Sequence, residues 1–260
     1  MLHPFFSEGQ KPRIFGHRGY VSAAEAERGI VENSRAAIAA ALAAGADYVE
    51  SDCQLTADGV VVLFHDNTLE RTLGDTRRIS QVSSAELADA MAERGELLTL
   101  EAALSDFPSA RLNLDMKTPE VATPAGTLIG ELAPARVLIS SFSDTLRREA
   151  LAAAEVGGMR PATGAGQSAI VKILGAVAMR SASLLDRAFA GIDALQIPVK
   201  QGPVKVLSPG LLRAAHARGV EVHIWTVNEA AQIRELVELG VDGIITDRTD
   251  VAVAALRGSR

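Results

Sequence analysis

Along most of the chain, short apolar runs alternate with longer stretches in which alanine and leucine recur at helical spacing. Arg13–His17 is one such run, ending in Gly16-His17-Arg18-Gly19. Ser34 opens an alanine-rich helix that stops at Gly45, a residue suited to a helix C-terminus. Residues 47–55 read as a strand and Thr56-Ala57-Asp58-Gly59 as an Asp-Gly turn; 60–64 is then a second strand ending at His65-Asp66. Ser83 or Ser84 caps a helix through Met91 to Arg94, and 100–104 is a shorter helix. Strand-like runs follow at 111–116, 137–141, 159–163, 194–199, 221–227 and 243–246. Helices are expected at 144–154, through most of 165–192, at 207–218 behind Ser208-Pro209, at 229–239, and from Asp250 onward.

Repeated strand–helix units imply a parallel sheet covered by helices. Eight barrel-type strands in 260 residues predict an α/β fold, a (β/α)8 TIM barrel, whose usual length is about 250 residues. No Pro/Gly/Ser-rich linker interrupts the chain, so residues 1–260 are expected to form a single domain. The hairpin at 56–59 breaks the alternation and predicts a small insertion after the second barrel strand, projecting over the site face.

In a barrel the C-terminal ends of the strands converge. Here those ends carry His17 and Arg18, Glu50 and Asp52, His65, Asp115 and Lys117, Trp225 and Thr226, and Asp247. Glu50 and Asp52 are two apart and so share one face of a strand, with Gln54 beside them, while Val49 and Cys53 face the helices. Two inward carboxylates repel unless neutralised, and a hard divalent cation with Asp115 as third ligand is the economical answer. An all-oxygen set suits Mg2+ or Ca2+ better than Zn2+, with Mn2+ a further option. His17 and His65 are left for proton transfer, and Arg18 and Lys117 for a phosphoryl group. Together these describe phosphodiester cleavage.

The bulk numbers narrow this picture. Acidic residues outnumber basic ones, 32 to 26, which argues against a nucleic-acid partner. Cys53 is the one cysteine, so no intramolecular disulfide is possible, and a buried apolar role suits it. The N-terminus lacks a basic start and an apolar run, and no stretch is long enough to span a membrane; a cytoplasmic location without stable membrane insertion is the expectation. The oligomeric state is not set by the sequence.

The motifs Gly16-His17-Arg18-Gly19, Glu32-Asn33-Ser34, Glu50 through Gly59, and Val62-Leu63-Phe64-His65-Asp66 resemble the glycerophosphodiester phosphodiesterase family. So do Asn113-Leu114-Asp115-Met116-Lys117, Ser141-Phe142, Trp225-Thr226-Val227-Asn228, and Gly240 through Asp247, in order over nearly the whole chain. The resemblance implies a (β/α) barrel with a small inserted segment, His17 and His65 as the acid/base pair, and Glu50, Asp52 and Asp115 as metal ligands. It also implies Arg18 and Lys117 on phosphate, with hydrolysis of a small-molecule glycerophosphodiester to glycerol 3-phosphate and an alcohol such as choline or ethanolamine. A glycerol hydroxyl attacking phosphorus first, through a cyclic phosphate, is a route the family allows.

The family commonly has Glu where this chain has Asp115, and Pro where it has Val31. The segment 20–31 is longer than a minimal loop. Glu32 is expected either at the glycerol end of the substrate or at a helix start, Asp66 either orienting His65 or closing a turn, and Trp225 on the pocket wall in preference to packing in the barrel. Asp247 reads as a cap or hydrogen-bond partner, His223 as structural, His216 as solvated, and His3 as part of an untethered tail. Two rivals stand beside hydrolysis of glycerophosphodiesters. One is a related barrel phospholipase or lyase acting on larger phosphodiesters, with Phe5 and Phe6 as an apolar entrance; the other is a catalytically decayed phosphate-ligand-binding barrel.

Overall fold

The structure, a computed structural model, describes residues 3–7, 10–155 and 158–258. Eight parallel strands form the barrel: β1 (Arg13–His17), β2 (Tyr48–Leu55), β4 (Leu112–Met116), β5 (Val137–Ser140), β6 (Ala162–Thr163), β7 (Ala194–Ile197), β10 (Glu221–Ile224) and β11 (Gly243–Thr246). They are ordered β6-β5-β4-β2-β1-β11-β10-β7, and one parallel bridge between Gly164 and Ala194 joins the two ends. The hairpin strand β3 (Val61–Leu63) runs antiparallel to β2 with Cys53 opposite Leu63. A second small hairpin, β8 (Lys200–Gln201) with β9 (Val204–Lys205), follows β7 and has no counterpart in the sequence reading.

Alternation along each strand sorts the side chains. On β1, Arg13, Phe15 and His17 point into the barrel. Ile14 packs among the helices, and a Cβ on Gly16 would meet Ala41, Gly19 and Thr249, so glycine there lets the flanking helices close in. On β4, Leu112, Leu114 and Met116 join the outer core while Asn113 and Asp115 turn inward. The floor of the barrel is aromatic: Phe15 stacks on Tyr48 at 4.6 Å between ring centroids and lies 4.7 Å from His223. Gly243 makes room for the Phe15 and His223 rings.

Phe5 and Phe6 fill this floor from below, 0% and 2% exposed, and so form no entrance. The N-terminal segment is tethered, since His3 Nε2 pairs with the Arg160 carbonyl at 2.7 Å. Both expectations for this segment, an apolar entrance at Phe5 and Phe6 and an untethered tail at His3, are therefore corrected: rings flanked by the buried Arg13–Glu221 pair close the barrel. His216 is exposed on its helix, as expected, and in addition lies 2.8 Å from Asp242.

The helix Pro119–Leu132 has no place in the sequence reading because Pro124, Gly126 and Gly130 look like breakers. Its two glycines instead lie flat against the helix Asp144–Ala154, where added Cβ atoms would run into the carbonyl oxygens of Ala150 and Ala154. The segment after β3 has its own small core of Val62, Phe64, Leu69, Ile79, Val82, Leu87 and Met91.

Candidate active site

At the C-terminal ends of the strands lies a cavity of about 500 Å3. One side is polar and is lined by His17, Arg18, Glu50, Asp52, His65, Asp115 and Lys117. The other side is apolar, with Phe142, Ile170, Leu174, Val204 and Trp225.

His17 ends β1, and its Nδ1 is 2.6 Å from Asp247 Oδ1 at the end of β11. The carboxylate can only accept, so the proton sits on Nδ1 and Nε2 is the free nitrogen, 3.8 Å from Glu50. Asn228 anchors Asp247 from its other side, donating to Oδ2 at 2.8 Å. His65 is built the same way, with Nδ1 2.6 Å from Asp66 Oδ1. Gln54 holds the loop that carries it by donating to the carbonyls of His65 and Asp66. Arg18 takes a left-handed conformation, φ 56°, which turns its backbone N–H onto Glu50 Oε2 at 3.1 Å. Gly19 behind it packs against the backbone of Ala37, where a Cβ would be 2.6 Å from a carbonyl carbon.

The three carboxylates are nearly dry, with Glu50 8%, Asp52 2% and Asp115 9% exposed. Asp52 and Asp115 are opposite each other on the paired strands β2 and β4. Lys117 sits between them, 3.0 Å from Asp52 and 3.2 Å from Asp115. Arg18 Nε is 3.5 Å from Asp52, and Asn33 donates to the same carboxylate at 3.1 Å. Burial opposes ionisation of Asp52, but Lys117, His65 and Arg18 outweigh it and hold the carboxyl below its usual range. Burial, reinforced by the Asp52 charge, pushes Glu50 well above the carboxylate range. Burial also lifts Asp115 to about 6, against the pull of Lys117. His17 is raised: burial works against its charge, but the Asp247 hydrogen bond and Glu50 prevail.

His17, His65, Glu50, Asp52, Asp115, Arg18, Lys117 and Trp225 are thus all brought to one cavity. Glu32 is not on its wall; its carboxylate receives Arg18 at 2.8 Å and Arg71 at 2.6 Å. Segment 20–31 also stays off the wall, and its helix Ala23–Glu27 is fixed by a Ser22–Glu25 capping box. Arg71, which the sequence reading did not single out, links Glu32 to Asp66 and so ties Arg18 to His65. A half-exposed arginine on a four-residue helix leaves no pattern to find it by. Gln196, also missed, lines the cavity with an Nε2 that has no hydrogen-bond partner among the described residues.

A parallel barrel with two carboxylate-oriented imidazoles, buried acids and two cations at its open end defines a barrel hydrolase for an anionic ester. Residues 17–251 match the glycerophosphoryl diester phosphodiesterase family. A probable glycerophosphodiester phosphodiesterase 2 of Mycobacterium tuberculosis is 35% identical over 237 residues, covering 90% of this chain and 87% of that protein. Two solved structures share the fold. A glycerophosphodiester phosphodiesterase from Thermotoga maritima has a TM-score of 0.74 at 24% identity, covering 95% of this chain and 99% of that one. An Oleispira antarctica phosphodiesterase, solved in complex with the product sn-glycerol-3-phosphate, has a TM-score of 0.70 at 22% identity, covering 95% and 97%. The chain belongs to the glycerophosphoryl diester phosphodiesterase family, and hydrolysis of glycerophosphodiesters is the activity that goes with that membership.

Proposed function

We propose that this chain cleaves glycerophosphodiesters to glycerol 3-phosphate and an alcohol by histidine acid/base catalysis beside a divalent cation. The observation that carries the reading is the pair of imidazoles at one cavity, each with Nδ1 fixed on a carboxylate and Nε2 left free. Water oxygen bonds to phosphorus, the bond from phosphorus to the alcohol oxygen breaks, and the alcohol leaves with a proton. His17, whose basicity is raised, suits the donor of that proton, and His65 the acceptor of the proton from water. Asp247 and Asp66 fix the tautomers and stabilise each imidazolium as it forms.

Three buried carboxylates face two side-chain cations here, and Glu50 is the acid left under-compensated. An all-oxygen donor set of Glu50, Asp52 and Asp115 fits Mg2+, Ca2+ or Mn2+ in charge and hardness. Among the described residues these groups are not gathered into a ready ligand cluster, and Lys117 lies between two of them. The cation, when bound, would supply neutralisation of the carboxylates and polarisation of a phosphoryl oxygen. Arg18 and Lys117 would then be available to hold phosphoryl oxygens.

The test is release of glycerol 3-phosphate from glycerophosphocholine and glycerophosphoethanolamine, with EDTA and with each metal restored, beside His17→Ala. The expected result is metal-restored turnover that the substitution lowers by roughly 10²–10⁴-fold. Turnover indifferent to EDTA would remove the metal, and turnover indifferent to His17→Ala would remove the acid/base pair.

The apolar side of the cavity favours a second reading, in which the substrate carries one fatty acyl chain beside Ile170, Leu174 and Val204. If so, kcat/KM for lysophosphatidylcholine exceeds that for glycerophosphocholine; equal or lower values dismiss it.

A further inference from the structure

Around the mouth of this cavity the protein leaves apolar surface that nothing in the fold covers. Seven large apolar side chains are exposed among the described residues, and three of them, Phe142 (64%), Val171 (64%) and Val204 (54%), line this one cavity. A fourth, Met179 at 64%, lies about two turns beyond Val171 on the helix Gln167–Met179. Ala178 is also exposed, and a Cβ on Gly175 would meet nothing within 4 Å, so this side of the helix is open along its length. The opposite side is anchored through Ile173 and Ala176. Phe142 is braced edge-on against Trp225 at 6.0 Å, which holds an exposed ring at the mouth.

The charge on these elements runs against that of the chain. The whole protein has a formal net charge of −6. Yet residues 165–179 and 198–206 contain Lys172, Lys200 and Lys205 and no Asp or Glu. All three lysines are exposed, and none forms an ion pair among the described residues. Acidic groups on other strand-end loops are engaged: Asp247 with His17, Asp66 with His65 and Arg71, and Glu32 with Arg18 and Arg71. Asp144, beneath Phe142, is spent on Ser168, Ala169 and Arg147. Glu229, past Trp225, is the exposed acid that follows the rim on the β10 side.

From this we propose that the rim formed by Phe142, the helix Gln167–Met179 and the β8–β9 hairpin is a docking surface for an anionic phospholipid bilayer, with the catalytic cavity opening through it. Apolar side chains enter the headgroup boundary and unpaired lysines meet the lipid phosphates, the combination that holds a protein at an interface without a spanning helix. No helix of the described residues is long and apolar enough to cross a membrane, so the contact is peripheral. The proposal deepens the reading of the cavity as a glycerophosphodiester site: a diester at a lipid surface would meet the mouth directly.

Vesicle flotation of the full chain tests it, using phosphatidylcholine vesicles with and without phosphatidylglycerol. The expected result is flotation with the anionic vesicles, weakened by salt and nearly absent with phosphatidylcholine alone. Each lysine near such a surface contributes roughly fivefold, so losing three of them costs about 100-fold, and the charge-reversing triple variant K172E/K200E/K205E should partition at least that much more weakly. Met179→Glu should also lower partitioning, and neither variant should change turnover of soluble glycerophosphocholine by more than about twofold, since none of these residues lines the cavity. No flotation on anionic vesicles, or flotation untouched by both variants, overturns the proposal. So does a concentration-dependent dimer in sedimentation equilibrium that Met179→Glu abolishes, because a second copy then covers this face. Flotation reads no catalysis: a protein that floats but releases no glycerol 3-phosphate keeps this proposal and loses the activity reading, and the converse result does the reverse.

Discussion

At the scale of single residues, the proposed acid/base chemistry depends on which nitrogen of each imidazole carries the proton. Asp247 decides that for His17 through one 2.6 Å contact, and Asn228 keeps Asp247 in place. Asp247→Asn presents an amide that can also donate, so the wrong tautomer becomes available. We expect kcat to fall by roughly 10²-fold or more while KM changes little, read from initial rates on glycerophosphocholine. A fall in KM-limited rate alone, with kcat intact, would instead assign Asp247 to substrate binding. The sequence places Asp247 correctly as a partner but not whose partner, because β1 and β11 become neighbours only when the barrel closes.

At the scale of elements, two contacts carry testable consequences. The helices Pro119–Leu132 and Asp144–Ala154 touch through Gly126 and Gly130, whose missing Cβ atoms make space for the carbonyls of Ala150 and Ala154. Gly130→Val should cost about 1–3 kcal/mol or more from overpacking, measured by urea unfolding, whereas the exposed and unopposed Gly240 tolerates no comparison because its φ is 95°. Gly175→Ala is the proper contrast: it sits in a helix with open space around it and should stabilise by about 0.5–1 kcal/mol.

The barrel floor is the other such contact. Arg13 pairs with Glu221 through two bonds of 2.7 and 2.9 Å, both groups 2% exposed. Burial would raise the Glu221 carboxyl, but bonds from His223 and Arg13 and their charge hold it far below its ordinary value of 4.5. A depressed carboxylate stabilises the fold at every pH above its unfolded value and loses that contribution as pH falls from there toward its folded one. Glu221→Gln should therefore cost about 3–5 kcal/mol at pH 7, because the buried Arg13 guanidinium loses its compensating carboxylate while keeping its bonds to Tyr48 and the Phe6 carbonyl, and the gap to the wild type should narrow below about pH 4.5. Chemical denaturation at pH 7, 5, 4 and 3 reads this directly; a gap independent of pH would show that the ion pair contributes nothing beyond packing.

At the scale of the whole molecule, strands remote in sequence crowd carboxylates that disfavour one another's charge. A divalent cation that binds the folded chain alone must stabilise it by mass action, about 2.7 kcal/mol at a hundred times its Kd. Thermal unfolding should therefore rise by several degrees on adding Mg2+, Ca2+ or Mn2+ to EDTA-treated protein, and Asp52→Asn should abolish the rise. A rise that survives the substitution would put the cation elsewhere.

Much of this was legible in the chain itself. Alternation along β2 puts Glu50 and Asp52 on one face, and their positions at strand ends bring His17 and Asp115 to the same end of the barrel. Periodicity is a local property, and local backbone geometry enforces it. Tertiary structure alone decided the partners: Lys117 between Asp52 and Asp115, Arg71 joining the surroundings of the two histidines, and Phe5 and Phe6 closing the floor. It also turned apparent helix breakers at Gly126 and Gly130 into a packing surface, and set the exposed apolar residues of three separate segments around one mouth. Those outcomes depend on which elements meet when the sheet closes on itself, and no spacing along the chain encodes that.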